Sequence, residues 1–326
     1  MAKKVTKQNF VQYIEPNKAL NLFDIRNSLP DDVPERTLRR WLSEAVSKRQ
    51  LIRTGKKSGT RYTIRQVKHS PTFLNNYDES KRPIILKQLR DLWTHTSTAL
   101  EGNTITLGDT HFILEEGLTI SGKPLREHQE ITGHARAIDL MYQSLRTDLT
   151  EDLLYTLHKA VQSELVNDIY QPVGEWKQEV NGTYTVDKYN NQIYLEYALP
   201  KDVPSLMKKL IHYINEKRLK QLTSDNAIEE YAKIHAAIAH IHPFSDGNGR
   251  IARLIANIPL LKSGLPPVVI SKEVRREYIQ TLATYEFEVG QLIANSDLWP
   301  NNKALLPFIS LCSNAYQETR HILFKF

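Results

Sequence analysis

Apolar residues recur every three to four positions along much of this chain, which is the period of an amphipathic α-helix. The pattern predicts helices at 20–29, after Pro34, at 84–100, within 104–170, at 200–215, at 224–242, from Ile251 onward and at 272–282. Two pairs of short runs rich in β-branched and aromatic residues predict hairpins instead, at 51–54 with 60–64 and at 180–186 with 192–197. The expected fold class is mainly α, with an all-helical core that bears one β-hairpin.

The first 68 residues have their own order of elements. Two helices are followed by two strand-like runs, which are joined by Gly55-Lys56-Lys57-Ser58-Gly59. Two helices and a basic-tipped hairpin resemble a small winged helix-turn-helix domain, which we expect at 1–68. The segment 69–83 contains proline, asparagine and a charged run and is interpreted as a linker, so a second domain is expected at 84–326.

Basic charge is concentrated in the first domain. The whole chain carries a formal charge of +6, yet residues 1–68 hold sixteen Lys and Arg against six Asp and Glu, which leaves −4 for the remainder. Such asymmetry favours an anionic partner, and we expect the α-helix with Arg39 and Arg40 in a DNA major groove, with phosphate contacts from Lys56 and Lys57. A winged helix used for protein contacts or dimerisation, with its charges in solvent, is the alternative.

The composition indicates a cytoplasmic globular protein. No apolar run approaches the length of a membrane span, and no apolar segment of the kind found in secretory signals follows the basic N-terminus. Cys312 is the single cysteine, so an internal disulfide or a cysteine-based zinc site cannot form. We therefore expect no membrane partner.

The densest chemistry lies between two predicted helices, in the stretch His242-Pro243-Phe244-Ser245-Asp246-Gly247-Asn248-Gly249-Arg250-Ile251-Ala252-Arg253. Its turn formers lead into a helix N-terminus, where free N–H groups and the helix dipole attract anions. Arg250 and Arg253 add positive charge to the first turn, while His242 offers a base and Asp246 a carboxylate for a metal. These residues predict a phosphate site beside a general base, and a glycine-rich structural joint is the alternative.

The same stretch resembles the Fic-domain signature, HxFx(D/E)GNGRxxR, and agrees with it at every specified position. The similarity covers roughly residues 84–325. It implies transfer of AMP from Mg-ATP to a Tyr, Thr or Ser hydroxyl of a protein, with His242 as the base and Asp246 as the Mg²⁺ ligand. The resemblance also implies that the α- and β-phosphates are cradled and the β/γ end neutralised by Gly247, Asn248, Gly249, Arg250 and Arg253.

A second motif precedes the loop. Ser97-Thr98-Ala99-Leu100-Glu101-Gly102, at the end of an expected inhibitory helix near 86–102, matches the (S/T)xxxE(G/N) motif that Fic proteins use for self-inhibition. Ser97 and Glu101 are four residues apart and are expected on one helix face. A carboxylate at the negative end of a helix slightly destabilises the helix. Its presence at Glu101 therefore suggests that this side chain has a function. The resemblance implies that Glu101 pairs with Arg253.

Two further regions are placed by the resemblance. The second predicted hairpin stands where Fic proteins have a flap, which lines up the target segment by strand addition. The expected flap contacts are Asn181, Gly182, Thr183 and Tyr184. Lys177 stands where Fic proteins commonly carry Arg, and a plain surface hairpin is the alternative. The helix after the loop borders the adenine in Fic domains, so Tyr278 is expected to bind the nucleotide.

The sequence therefore predicts a self-inhibited protein adenylyltransferase that uses ATP and Mg²⁺ and modifies another protein or itself, with a homodimer among its expected assemblies. Two alternatives stay open. One is an enzyme that removes AMP from a modified target, with Glu101 placing a water. The other is a DNA-binding regulator whose Fic core only senses nucleotide.

Overall fold

The computed structural model describes residues 5–7, 9–14, 18–47, 51–64, 71–162, 172–186 and 192–326. The chain divides into two compact units, Met1–His69 and Ser70–Phe326. The N-terminal unit contains α1 (Leu22–Ser28), α2 (Glu35–Ser47), β1 (Leu51–Thr54) and β2 (Arg61–Ile64). The second unit contains α3 (Arg82–Ala99), α4 (Leu107–Glu116), α5 (Leu125–Ser144), α6 (Glu151–Gln162), β3 (Gly182–Val186), β4 (Gln192–Glu196), α7 (Val203–Lys217), α8 (Ser224–Ile241), α9 (Asn248–Ile255), α10 (Ile258–Lys262), α11 (Arg275–Val289) and α12 (Leu306–Leu323).

The N-terminal unit has the predicted order of two helices and then an antiparallel hairpin. Asn21 begins α1 with a capping box: its side chain accepts from the Asp24 N–H, and the Asp24 carboxylate accepts from the Asn21 N–H. A bridge between Leu20 and Tyr62 extends the pairing beside the hairpin. The unit has its own apolar core, which includes Phe10, Ile25, Leu38, Leu42 and Leu51.

The second unit is mainly α, as predicted, and is built around α8. Nearly every residue of α8 from Ala227 to Ile241 is buried, so this helix is covered on almost all sides. Its alanines leave room for close neighbours, and α7, α9, α10, α11 and α12 pack around it. None of the helices in the described residues combines the length and apolar character needed to cross a membrane.

The segment 69–83 does not stand apart from the second unit. Its described part contains a 3-10 helix, Thr72–Asn76, and both Phe73 and Leu74 are buried in the main apolar core. Phe73 and Leu74 are only two adjacent apolar residues, so they show no helical period. The prolines, asparagines and charged residues around them indicated a linker instead. The part of the predicted 104–170 helical region at 163–170 lies outside the described residues.

Two boundaries near the loop also differ from the sequence prediction. The helix expected from Ile251 begins at Asn248, because the first helical turn exposes N–H groups rather than burying apolar side chains. The hairpin strands are shorter than predicted, and their antiparallel register pairs Gly182 with Glu196 and Tyr184 with Tyr194.

Buried histidines lie along α8. His240 is 2% exposed, and burial lowers its pKa to about 4, although a backbone hydrogen bond at Gly290 raises it. Burial also lowers the pKa of His235. An exposed imidazole in the unfolded chain has a pKa near 6.5, so these side chains take up protons on unfolding.

Lowering the pH from 7 to 5 should therefore reduce the free energy of unfolding, because the unfolded state binds more protons in this range. The contribution of His240 is complete above about pH 6.5 and is lost as the pH falls toward 4, and its loss at pH 5 is about 2 kcal/mol. Denaturant titrations at several pH values measure the slope. His240→Gln should have a smaller slope, whereas the exposed control His212→Gln should not, and equal slopes in all three proteins would contradict this account.

Candidate active site

The loop between α8 and α9 begins at His242, whose backbone ends α8 in the left-handed region. Its φ is 51°, and Lys57 is the only other residue with a side chain that has a positive φ in the described residues. Pro243 lacks the N–H that another helical turn would need, so the helix ends here. Backbone strain of this kind is concentrated at functional positions.

Two contacts fix the His242 ring. Its Nδ1 lies 3.0 Å from the Ala239 carbonyl oxygen, which can only accept, so Nδ1 carries the hydrogen. The Tyr197 ring stacks on the imidazole with centroids 3.9 Å apart and planes 2° from parallel. Burial lowers the pKa of His242 to about 4, the Ala239 bond raises it, and nearby Lys177 lowers it again. The imidazole is neutral at pH 7, and its Nε2 lone pair can accept a proton.

The Asn248 side chain closes the loop onto Phe244. Its Oδ1 accepts from the Phe244 N–H at 2.9 Å, and its Nδ2 donates to the Phe244 carbonyl at 2.8 Å. The Phe244 ring is buried between His158, at 3.9 Å, and Trp176, at 5.2 Å between centroids. Both polar atoms of the Asn248 side chain are thus hydrogen-bonded within the loop. Only the Asn248 backbone N–H can donate to a phosphate.

His158 holds the loop from the other side. Its Nδ1 accepts from the Gly174 N–H at 2.8 Å, so Nε2 carries the hydrogen and donates to the Asp246 carbonyl at 2.9 Å. Burial lowers the pKa of His158 to about 4, although the Asp246 bond raises it. Helical periodicity could show that His158 is buried, but no local signal indicates partners so distant in the chain.

The anion site was predicted at the N-terminus of α9, and the structure has a helix N-terminus at this place. Gly247 precedes the helix with a φ of 77°, and the first N–H groups of a helix have no acceptor within it. Asp246 lies exposed beside this terminus, with its carboxylate 3.3 Å from Arg250 Nη2. Partial burial raises the pKa of Asp246, but Arg250 and Gln162 lower it by more, so the net pKa lies below its usual value and the carboxylate is ionised.

Asp246 fits a Mg²⁺ ion as a shared ligand. No group of three or more His, Cys, Asp or Glu side chains in the described parts of the chain could hold a metal by itself. Mg²⁺ often binds one or two carboxylates and takes its other oxygens from phosphates and water. An exposed, ionised carboxylate beside an anion site suits that mode, in which a phosphate completes the coordination.

Arg250 and Arg253 are both buried but have different neighbours. Arg250 donates to the Val161 carbonyl at 3.3 Å and to Gln162 Oε1 at 3.4 Å, in addition to its contact with Asp246. These bonds are long, and Arg250 Nε is buried without a partner among the described residues. Arg250 is therefore loosely held.

Arg253, in contrast, is fully engaged. Its Nε donates to Ser97 Oγ at 3.0 Å and its Nη1 to the Tyr278 hydroxyl at 2.9 Å. Its Nη2 donates to the Ser97 carbonyl at 2.8 Å and to Glu101 Oε1 at 2.5 Å. The Tyr278 hydroxyl in turn contacts His235 Nε2 at 3.1 Å. Tyr278 was expected to bind the nucleotide. In this structure its hydroxyl group instead accepts a hydrogen bond from the Arg253 guanidinium.

The Glu101 carboxylate lies over the first turn of α9. A Cβ at Gly249 would stand only 2.4 Å from Glu101 Oε1, so glycine is required for this close approach. Burial raises the pKa of Glu101, and Arg253 lowers it by more, so the carboxyl group is ionised. The ionised Glu101 carboxylate therefore lies where the sequence predicts a phosphate.

The turn after α3, rather than the helix itself, carries Glu101. The helix ends at Ala99, the Glu101 N–H donates to the Thr98 carbonyl at 3.0 Å, and Gly102 has a φ of 102°. Ser97 and Glu101 therefore do not share a helix face as predicted, although both contact Arg253. Arg275 supports the turn by donating to the Leu100 carbonyl at 2.7 Å.

The second hairpin is attached to the loop through Asn181. Asn181 Nδ2 donates to the Phe244 carbonyl at 3.0 Å, and Lys177 Nζ donates to Asn181 Oδ1 at 2.5 Å. Burial lowers the pKa of Lys177 to about 8, while Glu196 raises it. Gly182, Thr183 and Tyr184 lie in β3, and Tyr184 is 69% exposed with its ring beside Tyr194.

Basic residues of the N-terminal unit surround a cleft of about 460 Å³. Two of the four expected DNA contacts, Arg39 and Lys57, line this cleft, whereas Arg40 and Lys56 are exposed outside it. No local pattern indicates the other cations that line it, which are Arg26, Arg53 and Arg61. They come from α1 and from both strands, so only the fold brings them together.

Comparison with known proteins agrees with the geometry of the loop. The Fic/DOC family model matches residues 148–260. The chain is 32% identical to protein adenylyltransferase fic-1 of Caenorhabditis elegans over 202 residues, which are 61% of this chain and 37% of that protein. It is 33% identical to protein adenylyltransferase Fic of Drosophila mojavensis over 192 residues, 57% of this chain and 34% of that protein. The chain thus spans about a third of the length of these relatives.

Solved structures share the fold. A Fic domain-containing signaling protein from Bacteroides thetaiotaomicron matches with a TM-score of 0.64 and 28% identity, over 76% of this chain and 91% of that one. Fic-1 from C. elegans matches with a TM-score of 0.58 and 24% identity, over 93% of this chain and 82% of that one. The signature loop lies within the residues 148–260 that match the Fic/DOC family model, and the solved structures show that the chain shares the Fic fold.

Proposed function

We propose that this chain transfers AMP from ATP to a hydroxyl group of a protein. The observation that carries the proposal is the neutral His242 imidazole, which stands in a closed loop beside the free N–H groups of α9. A base and an anion site in one loop are what nucleotidyl transfer needs. The relatives named protein adenylyltransferase support the same reaction.

In this reaction the target hydroxyl oxygen attacks the α-phosphorus of ATP. His242 Nε2 takes the hydroxyl proton as the new oxygen–phosphorus bond forms. The bond between the α-phosphorus and the oxygen that bridges to the β-phosphorus breaks, and pyrophosphate leaves. The closed loop, held by Asn248 and His158, keeps the base at a fixed distance from the anion site, and such positioning contributes much of the rate in transfers of this kind.

Charge neutralisation comes from several groups of the loop. The N–H groups at the start of α9 hold the phosphates, and the loosely held Arg250 can turn its guanidinium to them. Asp246 would hold Mg²⁺, which supplies Lewis-acid stabilisation of the phosphate oxygens when bound. Once Glu101 no longer pairs with Arg253, the Arg253 guanidinium can bind the β- and γ-phosphates of the triphosphate.

Glu101 restrains the enzyme in the arrangement described here. It occupies Arg253 and the space over Gly249 that a phosphate group needs, and its negative charge repels the triphosphate. The donor is therefore displaced from the alignment that attack on its α-phosphorus requires. A half-exposed, charge-assisted bond contributes about 1–2 kcal/mol, so displacement of Glu101 can restore activity without unfolding the site.

A protein target suits the second hairpin. A two-stranded hairpin has outer edges whose N–H and C=O groups can pair with an extended segment. Asn181 ties the hairpin to Phe244, two residues after the base, so a strand added here would present its side chains near His242. The target is another protein or a second copy of this chain.

Replacing Glu101 by glycine should activate the enzyme, because Arg253 and the α9 terminus become accessible together. Incubation with α-labelled ATP and Mg²⁺ should show protein labelling that rises roughly tenfold or more. His242→Ala in the same background should abolish the label, and Glu116→Gly, at an exposed helix end, serves as a matched control. A folded Glu101→Gly variant that labels no more than the parent would contradict restraint by Glu101.

The reverse reaction gives a different result in the same assay. If the chain removes AMP with the help of Glu101, release of AMP from a labelled protein should fall in Glu101→Gly. That outcome would replace transfer by removal as the function of the site.

A second candidate function, duplex DNA binding, is favoured by the cleft of the N-terminal unit. Five cations line it, two of which form exposed pairs, Arg26 with Asp32 and Arg39 with Glu35. Exposed pairs of this kind contribute little and exchange readily for a phosphate. Cations from a helix and from a hairpin are the arrangement by which winged helices contact the DNA backbone.

Binding of the full chain to a 20-base-pair duplex should therefore weaken steeply with salt. Arg39→Ala combined with Arg53→Ala should lower the affinity and reduce the log–log salt slope by about two, at about 0.9 for each lost phosphate contact. Fluorescence anisotropy measures both quantities, and Arg136→Ala combined with Arg146→Ala in the second unit is the control. No binding at low salt, or equal effects of the two double variants, would exclude this cleft as a DNA site.

A further inference from the structure

Lys177 is a buried lysine beside the loop between α8 and α9, and no step of the reaction described above uses its side chain. It is 2% exposed, and it forms no ion pair with a carboxylate in the parts of the chain that the structure describes. Buried lysines normally have such a partner, because a cation loses its hydration when it leaves water. Burial lowers the pKa of Lys177 to about 8, while Glu196 raises it, so most molecules carry the ammonium charge at pH 7. A side chain that is costly to bury at this place is a candidate for a functional task.

The side chain and the backbone of Lys177 hold the loop at two points. Its Nζ donates to Asn181 Oδ1 at 2.5 Å and to the Ile241 carbonyl at 3.4 Å. Its backbone N–H donates to the Pro243 carbonyl at 2.9 Å. Ile241 and Pro243 are the two neighbours of His242 in the chain. Lys177 therefore contacts the backbone immediately before and immediately after the proposed base.

Asn181 connects Lys177 to the second hairpin. Both polar atoms of its side chain are engaged, since Oδ1 accepts from Lys177 and Nδ2 donates to the Phe244 carbonyl at 3.0 Å. Its backbone carbonyl accepts from the Tyr197 N–H at 3.1 Å, one step beyond the register of β3 and β4. Tyr197 in turn stacks on the His242 ring. The hairpin and the proposed base are thus joined through one buried ammonium group and one amide.

We propose that Lys177, acting through Asn181, is a positioning residue for the transfer: it fixes the second hairpin at a set distance from His242. The inference rests on the proposed function and deepens it, since it names the contacts that would align a target strand on the hairpin with the base. The bridge of Lys177 and Asn181 includes neither the N–H groups at the start of α9 nor the two arginines of α9, so the donor should bind without it. Alignment is decisive in such transfers, because a displacement of about 1 Å lowers the rate about 100-fold.

Variants of Lys177 separate its hydrogen bonds from its packing. Lys177→Met keeps an unbranched apolar stem but has no donor, so the oxygens of Asn181 and Ile241 lose the hydrogen bonds from Nζ. Lys177→Arg keeps the positive charge and has N–H donors for the same oxygens. Asn181→Ala breaks the bridge at its second member and removes the contact with Phe244. The exposed Lys201, which follows the hairpin, provides the control Lys201→Met.

The test compares donor binding with transfer in the full-length Glu101→Gly protein, into which each variant is introduced. Calorimetric titration with ATP and Mg²⁺ measures binding, and self-labelling at a saturating concentration of α-labelled ATP measures transfer. Lys177→Met should bind ATP within about twofold of the Glu101→Gly protein, yet its labelling rate should fall roughly 10- to 100-fold. Lys177→Arg should recover most of the rate, and Lys201→Met should label at the full rate. Asn181→Ala should lose a factor similar to that of Lys177→Met, and the two losses should not multiply, because both changes break one bridge.

Labelling at the full rate by a folded Lys177→Met variant would overturn the inference while the proposed reaction stands. A loss of labelling that weaker ATP binding explains would overturn it too, as would losses that multiply fully in the double variant. If Lys177→Met does not fold, Asn181→Ala carries the same comparison.

Absence of label in the Glu101→Gly protein itself would reject the proposed reaction, and hydrogen exchange then tests the bridge by itself. Backbone amides of 192–197 should exchange roughly tenfold faster in Lys177→Met than in the protein with Lys177, because the hairpin is no longer held to the loop. Faster exchange would leave the bridge standing without the reaction, and equal exchange rates would reject the bridge as well.

Discussion

A buried guanidinium that must be neutralised organises this site. Arg253 is 2% exposed, and a cation so far from water is stable only with hydrogen-bond acceptors and an opposite charge nearby. Ser97 and Tyr278 supply acceptors from α3 and α11, and Glu101 supplies the charge. Removal of the charge creates a demand for another anion. In the proposed reaction a triphosphate at the α9 terminus would meet that demand, and Glu101 and the donor would be alternative partners of one cation.

Burial also shifts the pKa of groups near the loop. It lowers the pKa values of His242 and Lys177, and the cause is the same in both cases: loss of water disfavours the charged form. The His242 imidazole is neutral as a result, while Arg250 and Arg253 keep their positive charges nearby although both are buried. A neutral base beside concentrated positive charge is the combination that the proposed transfer requires.

Sequence could predict whatever depends on neighbours along the chain. The loop, the helix N-terminus that follows it, the mainly α fold and the order of elements in the N-terminal unit all follow from local spacing and residue type. The Glu101–Arg253 contact spans 152 positions, and only the resemblance of two motifs to Fic proteins indicated it. The winged-helix interpretation of residues 1–68 and its DNA contacts stay predictions.

Contacts across long sequence distances were missed where no motif marked them. His158 meets Asp246 across 88 positions, and Asn181 meets Phe244 across 63. The resemblance to the Fic signature places Asn248 at a phosphate, yet the loop needs its side-chain amide to satisfy the Phe244 backbone. The proline, asparagine and charged residues of 69–83 indicate a linker, yet Phe73 and Leu74 within it pack in the main core. Each miss concerns a partner or a packing surface that only the folded chain supplies.

The most direct test of the central claim compares how much the terminal phosphates contribute to binding in the two states of Arg253. Calorimetric titration of the parent and of Glu101→Gly with AMP, ADP and ATP, each with Mg²⁺, measures this contribution. If Glu101 and the triphosphate compete for Arg253, ATP should bind the parent little better than AMP does, and Glu101→Gly should gain roughly tenfold in affinity for ATP but not for AMP. Equal ATP-to-AMP ratios in the two proteins would contradict the account.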